Sequence, residues 1–371
     1  MIRLTSVARE ARIWGKPMIR SIVISLMIGV APFTASAENA KSNYVVDKHG
    51  KQPAPVVAID NVCAWPNLTL MRDGTIIATI HNQPSHLKDP GDVECWASTD
   101  YGTTWTKRGI SAPRDDEKAA RGMFAAGVAK NGDLIVISTG HTDPVAPDRG
   151  KIVPTWVSRS KDRGKTWAID KDGFPRGPGN QPLNPYGDIV PGADGNLHVA
   201  AYNSNRTFIF TSRDDGITWA EPALLSKEEP SDETALFHLG GGRWLAAARS
   251  TRLDLYGSGD DASTWAHLMK LTANAEIPGH ITRIKSGLLV SYGNRNVPQG
   301  VDVRFGNNDG TTWSEPFRVL DCAGDIGYPS SVHLPDGQVL TAYYAQRIVG
   351  HNRYHMGVVV WDPEWTQRKL K

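Results

Sequence analysis

The chain has 371 residues, of which 36 are glycine and 24 are proline, and its formal net charge at pH 7 is +2. So small an excess of positive charge argues against a nucleic-acid partner. The glycine and proline content, without any long stretch of helical periodicity, argues against a helical fold and favours a turn-rich all-β chain. The three cysteines have no metal-ligand spacing, so we expect no metal ion and no other cofactor.

The first 37 residues have the pattern of a secretory signal peptide. Five basic residues precede an apolar run over residues 22–31, and Ala35-Ser36-Ala37 follows as a cleavage site of small residues. The apolar run is short for a membrane span. We therefore expect residues 1–37 to be removed and the protein to be exported, to the periplasm or beyond, with no membrane span remaining. Since residues 1–37 carry a net charge of +4, the remaining chain carries about −2.

Tight turns precede β-rich runs at six places along the chain. The glycines of these turns are Gly74, Gly132, Gly195, Gly242, Gly287 and Gly337. Asn-Gly and Asp-Gly before alternating apolar residues are strong hairpin signals. Each turn therefore predicts a β-hairpin.

A second series of turns alternates with the first, and its members share one phrase. The first copy contains Ser98, Asp100, Gly102 and the pair Thr104-Trp105. The five copies span residues 98–105, 160–167, 212–219, 258–265 and 306–313. We expect the aspartate to accept hydrogen bonds from N–H groups two and three residues further on, glycine to adopt a positive φ, and tryptophan to pack beneath the hairpin. Each copy thus predicts a second hairpin, closed by a clasp.

One hairpin of each kind per unit gives four strands, which is the blade of a β-propeller. Six turns of the first kind and five clasps predict a six-bladed propeller of four-stranded antiparallel blades, which forms one domain over residues 38–371. The segment around residues 44–59 would pair with the last blade and close the ring. Seven blades, one of them unrecognised in the first hundred residues, is the structural alternative.

The repeated phrase resembles the Asp-box of sialidases and other propeller proteins, and the resemblance covers roughly residues 55–361. It implies that the Asp and Trp of each box lie at the blade periphery and are structural. The chemistry is then expected on the inner strands, at one end of the channel.

Two inner segments resemble the sialidase stretches that carry catalytic residues. The resemblance implies that Tyr328 is the nucleophile, Glu233 its base partner, and Arg249 and Arg295 binders of a substrate carboxylate. A tyrosine nucleophile avoids the repulsion that a carboxylate would feel toward an anionic sugar. A phenol with a pKa of about 10 needs a neighbouring base, and arginine binds carboxylates through paired hydrogen bonds.

Other polar residues at inner positions complete the candidate site. The loop of the first unit offers Asp92 and Glu94 for acid–base catalysis, and Asp188 and His280 would bind substrate. Where sialidases have an Arg-Ile-Pro motif with the first binding arginine, this chain has Ala64-Trp65-Pro66. We therefore expect a sialidase-like glycoside hydrolase, acting as a monomer on a terminal and in some cases acidic sugar of a glycan, rather than a strict sialidase.

Three questions stay open at this point. A polysaccharide lyase could use Tyr328 or His280 to remove the C5 proton of a uronate while arginine neutralises its carboxylate. A propeller could also bind glycans without catalysis. Cys63 and Cys95 could pair in an oxidising compartment, or they could remain buried free thiols.

Overall fold

The computed structural model describes residues 43–146, 150–203, 205–220 and 222–368. The predicted signal peptide, residues 1–37, lies outside the described residues. The described strands all belong to one compact unit, Phe33–Lys371. Among the described residues, no helix is long and apolar enough to cross a membrane.

The described part of the chain is almost entirely β-structure, and its strands fall into six groups of four. The first three groups are β2 (Ala64–Leu70), β3 (Ile76–His81), β4 (Val93–Ser98) and β5 (Thr106–Ala112); β6 (Ala120–Val128), β7 (Leu134–His141), β8 (Trp156–Ser160) and β9 (Ala168–Asp170); and β10 (Asn184–Pro191), β11 (Leu197–Asn203), β12 (Arg206–Ser212) and β13 (Ala223–Leu224). The next two groups are β14 (Thr234–Gly240), β15 (Arg243–Arg249), β16 (Leu253–Ser258) and β17 (Ala266–Lys270); and β18 (Glu276–Ile284), β19 (Gly287–Asn294), β20 (Gly300–Gly306) and β21 (Phe317–Asp321). The last group is β22 (Ala323–His333), β23 (Val339–Arg347) and β24 (His355–Trp361), together with β1 (Val56–Asp60). A 3-10 turn (Pro178–Asn180) and one helix, α1 (Pro363–Arg368), complete the described elements.

Within each group the strands pair antiparallel in sequence order. The exception is the last group, where β1 is the outermost strand and pairs with β24 from Val56↔Val358 to Asp60↔His355. The predicted pairing of the N-terminal segment with the last unit is thus confirmed. The second and third groups join into one eight-stranded sheet through a short parallel contact of β6 with β10.

The apolar core lies between neighbouring groups rather than within one layer. One cluster joins the last and first groups, with Leu68 and Ile80 packed near Tyr344 and Val358. Each of the remaining pairs of consecutive groups also has an apolar cluster between its two members. Each sheet therefore buries apolar side chains on both faces, which is how antiparallel sheets stack face to face.

All three cysteines are buried free thiols, so the structure settles the open pairing question. Cys63 packs in the cluster between the last and first groups. Cys95 packs in a cluster between the first and second groups. The two thiols thus lie on different faces of one sheet and do not bond.

The clasps form as predicted in kind, and the aspartate also accepts bonds from the threonine four residues on. In the second copy the N–H of Lys165, three residues after Asp162, donates to that carboxylate at 3.1 Å, as predicted. Asp100 accepts hydrogen bonds from the N–H and the hydroxyl of Thr104, at 2.9 and 2.6 Å, four residues on. Ser98 Oγ accepts a hydrogen bond from the N–H of Gly102 at 2.8 Å, and Trp105 Nε1 donates to the Gly102 carbonyl at 3.1 Å. The same serine and aspartate bonds recur in the next three copies.

The fifth clasp keeps the turn with a different acceptor. Asn307, one position before the residue that aligns with Asp100, accepts hydrogen bonds from the N–H groups of Thr311 and Thr312, at 2.9 and 3.1 Å. Trp313 still donates to the Gly310 carbonyl at 2.9 Å. Asp309 also accepts hydrogen bonds from the N–H and the hydroxyl of Thr311, at 3.2 and 2.7 Å. An amide and a neighbouring carboxylate therefore share the acceptor role that Asp100 has in the first copy.

Substitution by alanine should destabilise the protein more at Gly102, in the first clasp, than at Gly74, in the preceding hairpin turn. Gly102 and Gly74 have the same φ of 86°, but a Cβ on Gly102 would lie 2.1 Å from Leu340 Cδ1, whereas a Cβ on Gly74 meets nothing within 4 Å. Gly74→Ala should cost about 1 kcal/mol of unfolding free energy through backbone strain. Gly102→Ala should cost a further 1–3 kcal/mol, approximately, through overpacking. Urea unfolding measures both, and equal losses would contradict this account.

Candidate active site

Glu233 and Arg249 face each other across the first hairpin of the fourth group. Glu233 directly precedes β14, and Arg249 ends β15. The N–H of Arg249 donates to the Glu233 carbonyl at 3.1 Å, so the two residues are cross-strand neighbours. A carboxylate opening one strand and an arginine ending the next therefore share one rim.

Tyr328 joins this pair from the last group. Its hydroxyl donates to Glu233 Oε1 at 2.6 Å. Arg249 Nη1 donates to the same carboxylate oxygen at 2.7 Å and to the Tyr328 hydroxyl at 3.2 Å. Glu233 is only 5% exposed and Tyr328 only 8%, so the two interactions operate where water screens them little. Tyr328 thus forms one hydrogen-bonded group with two residues that precede it by 79 and 95 positions in the chain.

Burial and charge decide the protonation of this group. Burial, and then the Glu233 carboxylate, raises the pKa of Tyr328 well above its usual range. Burial opposes the charged form of Arg249, but the Glu233 carboxylate outweighs it and raises the pKa of that guanidinium. The resting group is therefore a neutral phenol between a carboxylate and a guanidinium, and Glu233 is the acceptor to which the phenolic proton can move.

A pocket opens beside Tyr328, and β-bulges supply most of its lining. The register of the first hairpins shifts between Ala64 and Asn67, Arg121 and Met123, Tyr186 and Val190, Glu276 and Gly279, and Gly327 and Ser330. The lining includes Trp65, Gly122, Tyr186, His280 and Tyr328, which lie within or next to these shifts. A bulge bends its strand and redirects a side chain, so the irregular strand ends build the pocket.

Two of these lining residues have left-handed backbone conformations. Trp65 has a φ of 48° and Tyr328 a φ of 46°. Such conformations are costly for bulky residues and occur mostly at functional sites. Their rings lie 5.9 Å apart, and Tyr186 meets Tyr328 edge-on at 6.0 Å. The nucleophile candidate is therefore held between aromatic rings.

The structure also brings together His280 and Asp188 at this pocket. His280 Nδ1 accepts a hydrogen bond from the N–H of Ser331 at 3.3 Å, so the ring proton is on Nε2, which donates to Asp188 at 3.0 Å. Asn67 donates to the other Asp188 oxygen at 2.9 Å. This second polar group faces the same space as Tyr328.

Asp92 and Glu94 are not brought to Tyr328. Glu94 lies on β4, the third strand of its group, and its carboxylate accepts hydrogen bonds from Lys107, Asn82 and Trp96 at 2.6, 2.9 and 2.9 Å. The Asp92 carboxylate accepts a hydrogen bond from the N–H of Arg114 at 2.8 Å. Glu94 lies on the third strand and Asp92 directly precedes it, and both accept hydrogen bonds from β5 or the residues just after it, whereas the first strands line the pocket.

Arg295 follows β19 and is also separate from the Tyr328 group. Its N–H donates to the Ala275 carbonyl at 2.9 Å. Among the described residues, its Nε is buried without a hydrogen-bond partner, and no ion pair joins it to Glu233. Arg249 is thus the candidate arginine that the structure places against Tyr328.

Several pocket residues were not predicted as site residues. They are Trp65, Asn67 and Tyr186. A usable signal was present, since Pro or Gly neighbours Trp65, Tyr186 and Tyr328 inside predicted strands. Proline or glycine within a strand marks a bulge.

The four-stranded antiparallel groups give a fold of the β-propeller type, which solved sialidases share. Residues 45–341 match the BNR repeat-like domain family, and the chain belongs to that family. No curated protein matches the sequence.

Solved structures share the fold at low sequence identity. A protein of unknown function from Dyadobacter fermentans is 21% identical with a TM-score of 0.71, covering 83% of this chain and 97% of that one. A K499G mutant of the NanB sialidase from Streptococcus pneumoniae is 12% identical with a TM-score of 0.66, covering 89% and 72%. The Trypanosoma rangeli sialidase is 18% identical with a TM-score of 0.62, covering 85% and 56%. At these identities the likeness establishes the fold alone.

The environment of Glu94 predicts an acid-dependent loss of stability. Burial raises its pKa, but the hydrogen bonds from Lys107, Asn82 and Trp96 outweigh burial and lower the pKa below the ordinary 4.5. The stabilisation is therefore present above pH 4.5 and is lost as pH falls through the lowered value. Glu94→Gln should cost roughly 1–2 kcal/mol of unfolding free energy at pH 7, with a smaller cost below pH 4.5. Chemical unfolding at several pH values measures it.

The matched control is Glu228→Gln, because Glu228 is an exposed carboxylate. Its cost should stay within about 0.5 kcal/mol at every pH. A cost in unfolding free energy for Glu94→Gln that does not change with pH would contradict the assignment of Glu94 to an ion pair with Lys107.

Proposed function

We propose that the six four-stranded groups are the blades of one β-propeller, with their first strands around a central channel. In support, consecutive first strands contact each other from β2 through β6, β10, β14 and β18 to β22, and β22 contacts β2. Apolar clusters between neighbouring groups, including the last and the first, also support a closed cycle. The pocket beside Tyr328 would then lie at one end of this channel.

We propose further that the protein is an exported glycoside hydrolase that releases a terminal sugar from a glycan. The observation that carries this proposal is the Tyr328 hydroxyl donating to Glu233 while Arg249 contacts both groups. The sialidases among the structures of similar fold support the reaction class. They also use a scheme other than the usual pair of carboxylates.

We propose a role for each residue in a two-step reaction. Glu233 takes the proton of Tyr328, and the phenolate oxygen bonds to the anomeric carbon while the bond to the leaving group breaks. A proton held by the His280–Asp188 pair passes to the leaving oxygen. Water then cleaves the tyrosyl–sugar bond: its oxygen bonds to the anomeric carbon, one of its protons restores the His280–Asp188 pair, and Glu233 returns its proton to Tyr328. Arg249 stabilises the phenolate as it forms or leaves.

The lining favours a sugar other than sialic acid. Arg249 shares its Nη1 with Glu233 and Tyr328, so its charge is compensated before substrate binds. Ala64, in the segment that stands where sialidases have the first binding arginine, is buried and provides no positive charge. Trp65 beside it presents its indole ring to the pocket. An aromatic wall binds the apolar face of a sugar, whereas a carboxylate would need a free guanidinium.

The test is turnover of a panel of neutral glycosides, sialosides and uronate oligosaccharides, with products identified by mass. Hydrolysis adds one water to the products. Tyr328→Phe should lower kcat by roughly a thousandfold or more because the nucleophile is absent. Glu233→Gln should lower kcat by roughly a hundredfold or more because the base is absent.

Tyr343→Phe is the matched control for the tyrosine variant. Tyr343 is buried on the neighbouring strand β23, and among the described residues its hydroxyl has no hydrogen-bond partner. Its removal should leave both folding and turnover within about twofold of the original protein. Full activity of both Tyr328→Phe and Glu233→Gln would refute the mechanism, and glycan binding without turnover would favour a non-catalytic propeller.

A lyase is the second candidate, because His280 and Tyr328 line the same pocket and Arg249 adjoins it. Tyrosine or histidine would remove the C5 proton of a uronate, and the leaving group would depart with a new C=C bond. This product absorbs in the ultraviolet and gains no water. If uronate oligosaccharides gave an absorbance increase that is lost in Tyr328→Phe, the lyase assignment would replace the hydrolase assignment.

A further inference from the structure

Three potential metal ligands meet beside the aromatic wall of the pocket. They are the thiol of Cys63, a ring nitrogen of His86 and a carboxylate oxygen of Asp325, all within 4.8 Å of one another. Within the described part of the chain, this is the one group of three or more His, Cys, Asp or Glu side chains that comes so close together. Neither the Tyr328 group nor the clasps use these residues.

Tight turns hold two of the ligands in place. The N–H of Trp65 donates to the Cys63 carbonyl at 2.8 Å, which closes a three-residue turn about Ala64, whose φ is 62°. The N–H of Leu87 donates to the Ser85 carbonyl at 2.9 Å, which closes a similar turn about His86. Turns of this kind are tight, and the left-handed conformation of Ala64 is costly.

The third ligand is oriented by partners outside the group. Tyr344 and Tyr354 donate their hydroxyl protons to the two oxygens of Asp325, at 2.8 and 3.0 Å. Such outer hydrogen bonds orient carboxylate ligands and tune their metals. The Trp65 ring meets the His86 ring edge-on, with centroids 4.8 Å apart, and covers the group on the pocket side.

We propose that Cys63, His86 and Asp325 bind one Zn²⁺ ion. Thiolate, imidazole and carboxylate are the three ligand types that zinc combines in proteins, and three protein ligands leave a fourth position open. The sulfur ligand disfavours calcium and magnesium, which prefer oxygen alone. Zinc bonds of about 2.0–2.3 Å place tetrahedral ligand atoms roughly 3.3–3.7 Å apart. His86 Nδ1 and Asp325 Oδ2 share a hydrogen bond at 2.9 Å, so zinc would replace that bond after small side-chain movements.

The ion would join the first and last groups of strands. Cys63 directly precedes β2, His86 lies in the loop between β3 and β4, and Asp325 lies on β22. Trp65 and Tyr344 contact this group and also contact the Tyr328 ring, at centroid distances of 5.9 and 5.8 Å. The ion would therefore fix two rings that surround Tyr328 as well as stabilise the fold.

Cobalt binding to the metal-free purified protein tests the proposal directly. Co²⁺ reports its ligands, because a cysteine thiolate ligand gives a charge-transfer band in the near ultraviolet. We expect this band to saturate at one Co²⁺ per chain, Zn²⁺ to displace it, and Zn²⁺ to raise the midpoint of thermal unfolding. The measurement needs no sugar, so its outcome is independent of the proposed hydrolase activity.

Matched variants identify the ligands. Cys63→Ser should abolish the band, whereas Cys322→Ser, at another buried free thiol, should retain it. His86→Gln and Asp325→Asn should each weaken Co²⁺ binding at least tenfold, approximately. The His86 side chain is 33% exposed, so this variant should fold, which circular dichroism verifies.

Two results would overturn the proposal. One is the absence of a thiolate band with stoichiometric Co²⁺ in the folded protein. The other is a band that persists in Cys63→Ser, or affinity that is unchanged in His86→Gln.

Discussion

The candidate site depends on irregular pairing at one end of the first strands. Five of the six first hairpins lose their register there, and Trp65 and Tyr328 adopt left-handed conformations at such shifts. A regular strand would send alternate side chains to the two faces of its sheet, into the apolar clusters between groups. The bulges instead turn side chains toward the space between the strands. Backbone strain and a loss of pairing are thus the cost of having a pocket in this fold.

The Tyr328–Glu233–Arg249 group shows how such a site is kept stable. A buried carboxylate alone would be costly, but here it accepts two short hydrogen bonds, one from a phenol and one from a guanidinium. The partners come from two groups of strands, so the interaction also links them. Removal of one partner leaves another buried and unsatisfied, which is why such a group is both structurally and chemically sensitive. The same network that holds Tyr328 protonated provides the base that can activate it.

The Asp-box clasps and the site differ in how far the sequence could predict them. A clasp depends on atoms within eight residues, so the local pattern of Ser98, Asp100 and Gly102 is enough to predict it. Four copies form the same bonds. Even there, the bonds from the threonine four residues after the aspartate, and Asn307 as an acceptor in the fifth copy, were not predicted, because side-chain direction depends on the turn conformation. Glu233 and Arg249 were predictable as neighbours because a hairpin joins them. Trp65 and Tyr186 were not predicted as site residues, although proline and glycine beside them marked bulges.

The sequence by itself determined the all-β class, the repeated four-stranded pattern, and the pairing of the N-terminal segment with the last group. These follow from turn chemistry and strand periodicity, which act over short distances. The residues of the Tyr328 group were predicted from the resemblance to sialidases and not from such local patterns. Only the tertiary structure separated Asp92, Glu94 and Arg295 from that group, left Cys63 and Cys95 unbonded, and brought Cys63, His86 and Asp325 together. Those outcomes depend on which face of a sheet each side chain takes and on contacts between strands distant in sequence, and spacing along the chain does not encode either.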